Sequence, residues 1–117
     1  MSTKITKPEG WSIIKIEKIG EPTIFKIFGT WRWSEEWVLS SGSSKLEEIQ
    51  ENNDYFEWKQ NSGSIYQLTS GGENGMTMWQ SMKLDIILGH CEKHKGKATI
   101  VKIKEALRLK SKTNQNL

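Results

Sequence analysis

The chain has 117 residues, 35% of them hydrophobic and 26% charged. That is the length of one domain with one substantial core, at an ordinary globular charge content. The single cysteine, Cys91, excludes an intramolecular disulfide, and the longest aliphatic run, Ile86-Ile87-Leu88, is far too short to span a bilayer. The opening MSTKITKPEG is polar and carries no apolar h-region, so no secretory leader is expected, and the expected setting is the reducing cytoplasm.

The net charge of +3 is unevenly spread. Residues 34–92 carry three basic and ten acidic side chains, a net of −7, whereas residues 93–117 carry eight basic groups against Glu105 alone, a net of +7. An acidic middle and a basic end imply either an internal match or two different outward faces.

In chain order, residues 1–10 read as a flexible tail ended by Pro8 and Gly10. The domain is expected over 11–111, and a disordered tail over 112–117. WSIIKIEKIG, rich in β-branched residues and closed by Gly20 and Pro22, predicts a first strand and turn. TIFKIFGTWRW predicts a longer second strand in which Phe25, Ile27, Trp31 and Trp33 share one face. SEE then reads as a loop and WVLSS as a returning strand that sets Trp37 across from Trp33. SKLEEIQEN fits both a helical turn, from the spacing of Leu46 and Ile49, and a short strand. YFEWKQ and SIYQLTS, joined by the turn signal NSG, form the clearest hairpin.

GGENG marks a break, read as a flexible connection, after which the period changes. In TMWQSMKLDIILGHCEKH, Trp79, Met82 and Ile86 follow helical spacing, and Thr77 with Gln80 fits a capping box. ATIVKIKEALRLK predicts a helix, with a strand over Thr99–Ile103 as the alternative. The fold expected is α+β: an antiparallel meander of about five strands, followed by two C-terminal helices on one face. Phe25, Ile27, Trp33, Phe56 or Tyr66, Leu68, Trp79, Met82 and Ile86 are the expected core.

No pattern for chemistry is complete. His90 and His94 stand one helical turn apart, a usable metal-ligand spacing, but with Cys91 they do not close a site, so neither metal nor cofactor is expected. Cys91 has no marked base to activate it. Glu47, Glu48, Glu51, Asp54 and Glu57 read as a solvated face rather than a catalytic pair. The glycines of SGGENG lack the Lys-Ser/Thr of a phosphate loop.

The expectation is therefore a non-enzymatic interaction module of the inhibitor, adaptor or immunity type. Trp11 and Trp37, near element ends, and Arg32, between two tryptophans, are its candidate contact residues, and a homodimer is expected over a monomer. The alternative is a nucleic-acid or nucleotide binder using Lys95, Lys97, Lys102, Lys104, Arg108 and Lys110.

Overall fold

The computed structural model describes residues 4–94 and 96–115, the last three of these by backbone alone. The chain is α+β, with two sheets of mostly antiparallel strands and two helices. β1 (Ile5–Thr6), β2 (Gly10–Lys18), β3 (Ile24–Trp31) and β4 (Glu36–Leu39) come first. A 3-10 turn at Leu46–Glu48 leads into β5 (Gln50–Glu51), β6 (Tyr55–Lys59) and β7 (Ile65–Thr69). α1 (Met78–Lys93), β8 (Gly96–Val101) and α2 (Ile103–Gln115) complete the order.

One sheet runs β4-β3-β2-β8, antiparallel throughout; the other runs β1-β7-β6-β5, with β1 parallel to β7. The expected single meander is thus divided between two sheets. Local pairing was legible: β2 turns at Gly20 into β3, with Ile13 opposite Ile27, and β6 and β7 form the expected hairpin, with Phe56 opposite Leu68. The ambiguous SKLEEIQEN is both things in succession, a 3-10 turn and then the two-residue β5.

Three expected boundaries move. Residues 1–10 are not all tail: Ile5 and Thr6 pair with Ile65 and Tyr66, and Pro8 is buried. Residues 1–3 and 116–117 lie outside the described residues, but α2 carries the backbone to Gln115, past the expected end at 111. ATIVKIKEALRLK is split, its first part being β8 and its second α2. β8 closes onto β2 with Ile100 opposite Ile14, so a strand intervenes between the helices.

The helices lie on opposite faces of the β4-β3-β2-β8 sheet, not on one. The parity containing Trp11, Ile13, Phe25 and Ile27 packs against Trp58, Tyr66 and Leu68 of the second sheet and against Ile103 and Ala106 of α2. Ring contacts join the sheets, Trp11 to Phe56 at 6.4 Å and Phe25 to Trp58 at 6.0 Å. The other parity, Ile14 and Phe28, packs with Ala98 against Leu84 of α1. β2 is therefore covered on both sides, which is why Trp11 to Ile14 are buried without alternation.

GGENG is not a loose connection. Trp11 N donates to Gly72 O, Asn74 N to Trp11 O, and Ile103 N to a Glu73 carboxylate oxygen, tying the loop to β2 and to the start of α2. A Cβ on Gly10 would lie 1.9 Å from Gly75 O, so the backbones meet where no side chain fits.

Candidate docking surface

α1 begins where its sequence says. Thr77 accepts from Gln80 N through its hydroxyl, and Gln80 Oε1 accepts from Thr77 N at 2.8 Å. The same Gln80 side chain is fully buried, and its Nε2 donates to Trp31 O at 3.1 Å and Glu36 O at 2.8 Å. One residue thus caps the helix and clamps its first turn to both strands of the β3–β4 hairpin.

The helical spacing of Trp79, Met82 and Ile86 is real, but it marks the outward face. Met78 is 83% exposed, Trp79 44%, Met82 59% and Ile86 64%, while Leu84, with Ile87, Leu88 and Cys91 beside it, makes the inward contact. At 100° per residue Met78, Met82 and Ile86 fall within one quadrant, opposite that inward stripe. The expectation that Trp79, Met82 and Ile86 are core is overturned, because α1 is apolar on two sides and the sheet takes the branched aliphatic one. Lys83 lies over the Trp79 ring at 4.9 Å from its centroid, on the flank of the exposed stripe.

Beside this helix stands the hairpin tip. Trp31 pairs with Glu36 and Thr30 with Trp37, so residues 32–35 form the turn, and Glu35 closes it with a φ of 56°. Trp33 is in that turn, not across from Trp37, and is 92% exposed. It is not core: the strand ends at Trp31, and parity has no meaning beyond it. Trp37 is partly exposed and stacks on Phe28 at 5.6 Å, on the face that α1 covers.

Of the three contact residues expected from sequence, Trp11 is removed. It is fully buried, its Nε1 donates to Thr69 O at 2.8 Å, and it sits at the centre of the inter-sheet cluster. Arg32 is exposed in the hairpin turn and borders a polar cavity of about 410 Å³ with Glu9, Thr30 and Asn74. The neighbouring glycine loop does not form a phosphate cradle, since the N–H groups of Gly72, Asn74 and Gly75 are all donated internally.

The basic end is dispersed. Lys95 lies outside the described residues. Lys97 is exposed on β8, and Lys102 and Lys104 are exposed where β8 passes into α2. Arg108 is engaged by Glu105, its Nε donating to Oε2 at 2.9 Å, and Lys110 donates to Ile49 O. The Glu105 carboxyl is held below its usual value, first by that hydrogen bond and then by the charges of Arg108, Lys112 and Lys15. His90 and His94 meet edge-on at 4.4 Å, but among the described residues no group of three or more His, Cys, Asp or Glu gathers around a common point.

No described helix is long and apolar enough to cross a membrane. Compared with protein-family models, with curated proteins and with solved structures, the chain matches none.

Proposed function

We propose that this protein is a small non-enzymatic interaction module, of the inhibitor, adaptor or immunity type, that docks a protein partner through the outward face of α1 and the adjoining hairpin tip. One observation carries the reading. Met78, Trp79, Met82 and Ile86 form a contiguous apolar stripe on a helix already anchored by its other side. Single exposed apolar residues are ordinary on protein surfaces; a stripe of four with a neighbouring exposed Trp33 is the pattern of a contact surface. Methionine and tryptophan suit the role, the first by adapting its shape and the second by carrying large contact area. The absence of a second cysteine to pair with Cys91 fits action in the reducing cytoplasm.

The test compares wild type with Met82→Lys/Ile86→Lys. Affinity capture from the native cell, after nuclease treatment, is expected to recover a protein partner with wild type and not with the variant. Equal recovery by both overturns the reading. Light scattering decides whether the occupant is a second copy: twice the chain mass in wild type and a single chain in the variant would make the homodimer the partner. A second reading, sequence-tolerant nucleic-acid binding, is favoured by one observation, the exposure of Lys97 near the start of β8 and of Lys102 and Lys104 at the β8–α2 junction.

A further inference from the structure

A cleft of about 420 Å³ opens between the C-terminal half of α1 and the sheet it covers. Its apolar walls are Ile16, Ile24 and Leu39 from three strands and Ile87 from the helix. All four are only partly buried, because the cleft keeps them from closing on one another. The volume falls within the range of small-molecule sites, and the position is distinct from the outward stripe of α1.

The rim is chemically one-sided. Lys18 and Lys26 supply two cations, and His90 and His94 supply imidazole nitrogens from the end of α1; Glu21 is the one carboxylate. Among the described residues neither lysine is held in an ion pair. Lys26 is also positioned. Its stem crosses Gly42, where a Cβ would lie 3.3 Å from Lys26 Cγ and 2.7 Å from Ile24 Cγ2, at a backbone φ of +100°. A side chain at 42 would strain the backbone and force Ile24, and to a lesser degree Lys26, to shift, so the glycine lets both keep these positions on the wall and rim.

We propose that this cleft binds a small amphiphilic monoanion: an unbranched or ring-shaped apolar body carrying one carboxylate. The body lies against Ile16, Ile24, Leu39 and Ile87, and the carboxylate accepts from Lys18 and Lys26, with His90 and His94 as further donors. Apolar walls give such a ligand its affinity, and the charge of the rim selects anion over cation.

The experiment titrates ¹⁵N-labelled protein with decanoate, decyltrimethylammonium and decanol, each below its aggregation threshold. Decanoate is expected to shift the amides of Ile24, Leu39, Ile87 and Cys91 saturably, and the cation is not. Lys18→Gln/Lys26→Gln, whose fold is checked by its melting curve, should weaken decanoate about tenfold, the size of two partly exposed charge contacts, while leaving decanol unchanged. No saturable shift with decanoate overturns the proposal, as does an equal response to the cation. Shifts confined to Met78, Met82 and Ile86 also overturn it, because they mark adsorption to the outward stripe. The proposal stands apart from partner docking, so either can fail alone.

Discussion

The indole of Trp11 is enclosed on every side and its N–H is satisfied by Thr69 O, while the indole of Trp33 stands in solvent. Truncation therefore has opposite consequences at the two positions. Trp11→Ala should cost about 3–5 kcal/mol, since it leaves a cavity between the sheets and an orphaned carbonyl. Trp33→Ala should change stability by no more than about 0.5 kcal/mol, the usual range for a surface site. Urea unfolding of both variants checks this, and a large loss at Trp33 would mean that the ring packs against the domain. Gln80 is the polar counterpart. From a fully buried position it serves the helix cap and two hairpin carbonyls at once. Gln80→Leu keeps the volume and removes all three partners, so it should cost at least about 2 kcal/mol, each orphaned buried group being worth about 1–3 kcal/mol. A calorimetric melt within a degree of wild type would show that water replaces those bonds freely.

Among elements, α1 presents two apolar stripes that behave differently on substitution. Leu84→Ala, on the inward stripe, should cost about 2–5 kcal/mol. Met82→Lys with Ile86→Lys, on the outward stripe, should stay within about 1 kcal/mol of wild type by thermal unfolding. Comparable losses from both would place the outward stripe in an intramolecular contact. α2 offers a test by pH. The Glu105 carboxyl is lowered chiefly by its hydrogen bond from Arg108. A carboxylate lowered on folding contributes stability above its unfolded value, and loses it as pH falls through the lowered folded value. Its side-chain carbon resonance should titrate below the ordinary glutamate range in wild type and return toward it in Arg108→Gln. An unchanged midpoint in the variant would remove Arg108 as the cause. The pair is solvent-exposed, so salt should weaken its effect.

For the whole molecule, the charge asymmetry of the sequence becomes local pairing on one side and exposed lysines on another. Of the six candidate cations, Arg108 and Lys110 are occupied by Glu105 and Ile49 O and Lys95 lies outside the described residues, which leaves Lys97, Lys102 and Lys104 exposed for the nucleic-acid reading; Lys93 and Lys112 are exposed as well. Changing Lys97, Lys102 and Lys104 to Gln should leave the melting temperature nearly unchanged. If the wild type binds labelled single-stranded RNA, its affinity should fall steeply with salt, and the triple variant should lose most of it. Anisotropy titrations at two salt concentrations decide this. Binding that persists undiminished in the triple variant would relocate the contact away from β8 and the β8–α2 junction.

Local rules were enough for much of the chain. The Gly20 turn, the β6–β7 hairpin, the Thr77–Gln80 capping box and the mixed α+β class follow from turn chemistry and from hydrophobic periods of two and 3.6. The partial exposure of Trp37 was also legible from its place near an element end, although the same argument failed at Trp11. What the sequence could not decide was which face of each element meets which neighbour. Parity correctly grouped Phe25 with Ile27 but could not say that they meet a second sheet and α2 rather than α1. Spacing correctly grouped Trp79, Met82 and Ile86, yet α1 carries a second stripe through Leu84, Leu88 and Cys91, and a period is blind to which of two stripes is buried. Trp11 looked peripheral because it opens a strand, but Gly72 and Thr69 come from far along the chain to enclose it. Periodicity is a property of one element. Burial is a property of two, and the choice among competing apolar faces is made by the packing of elements distant in sequence, which only the tertiary structure contains.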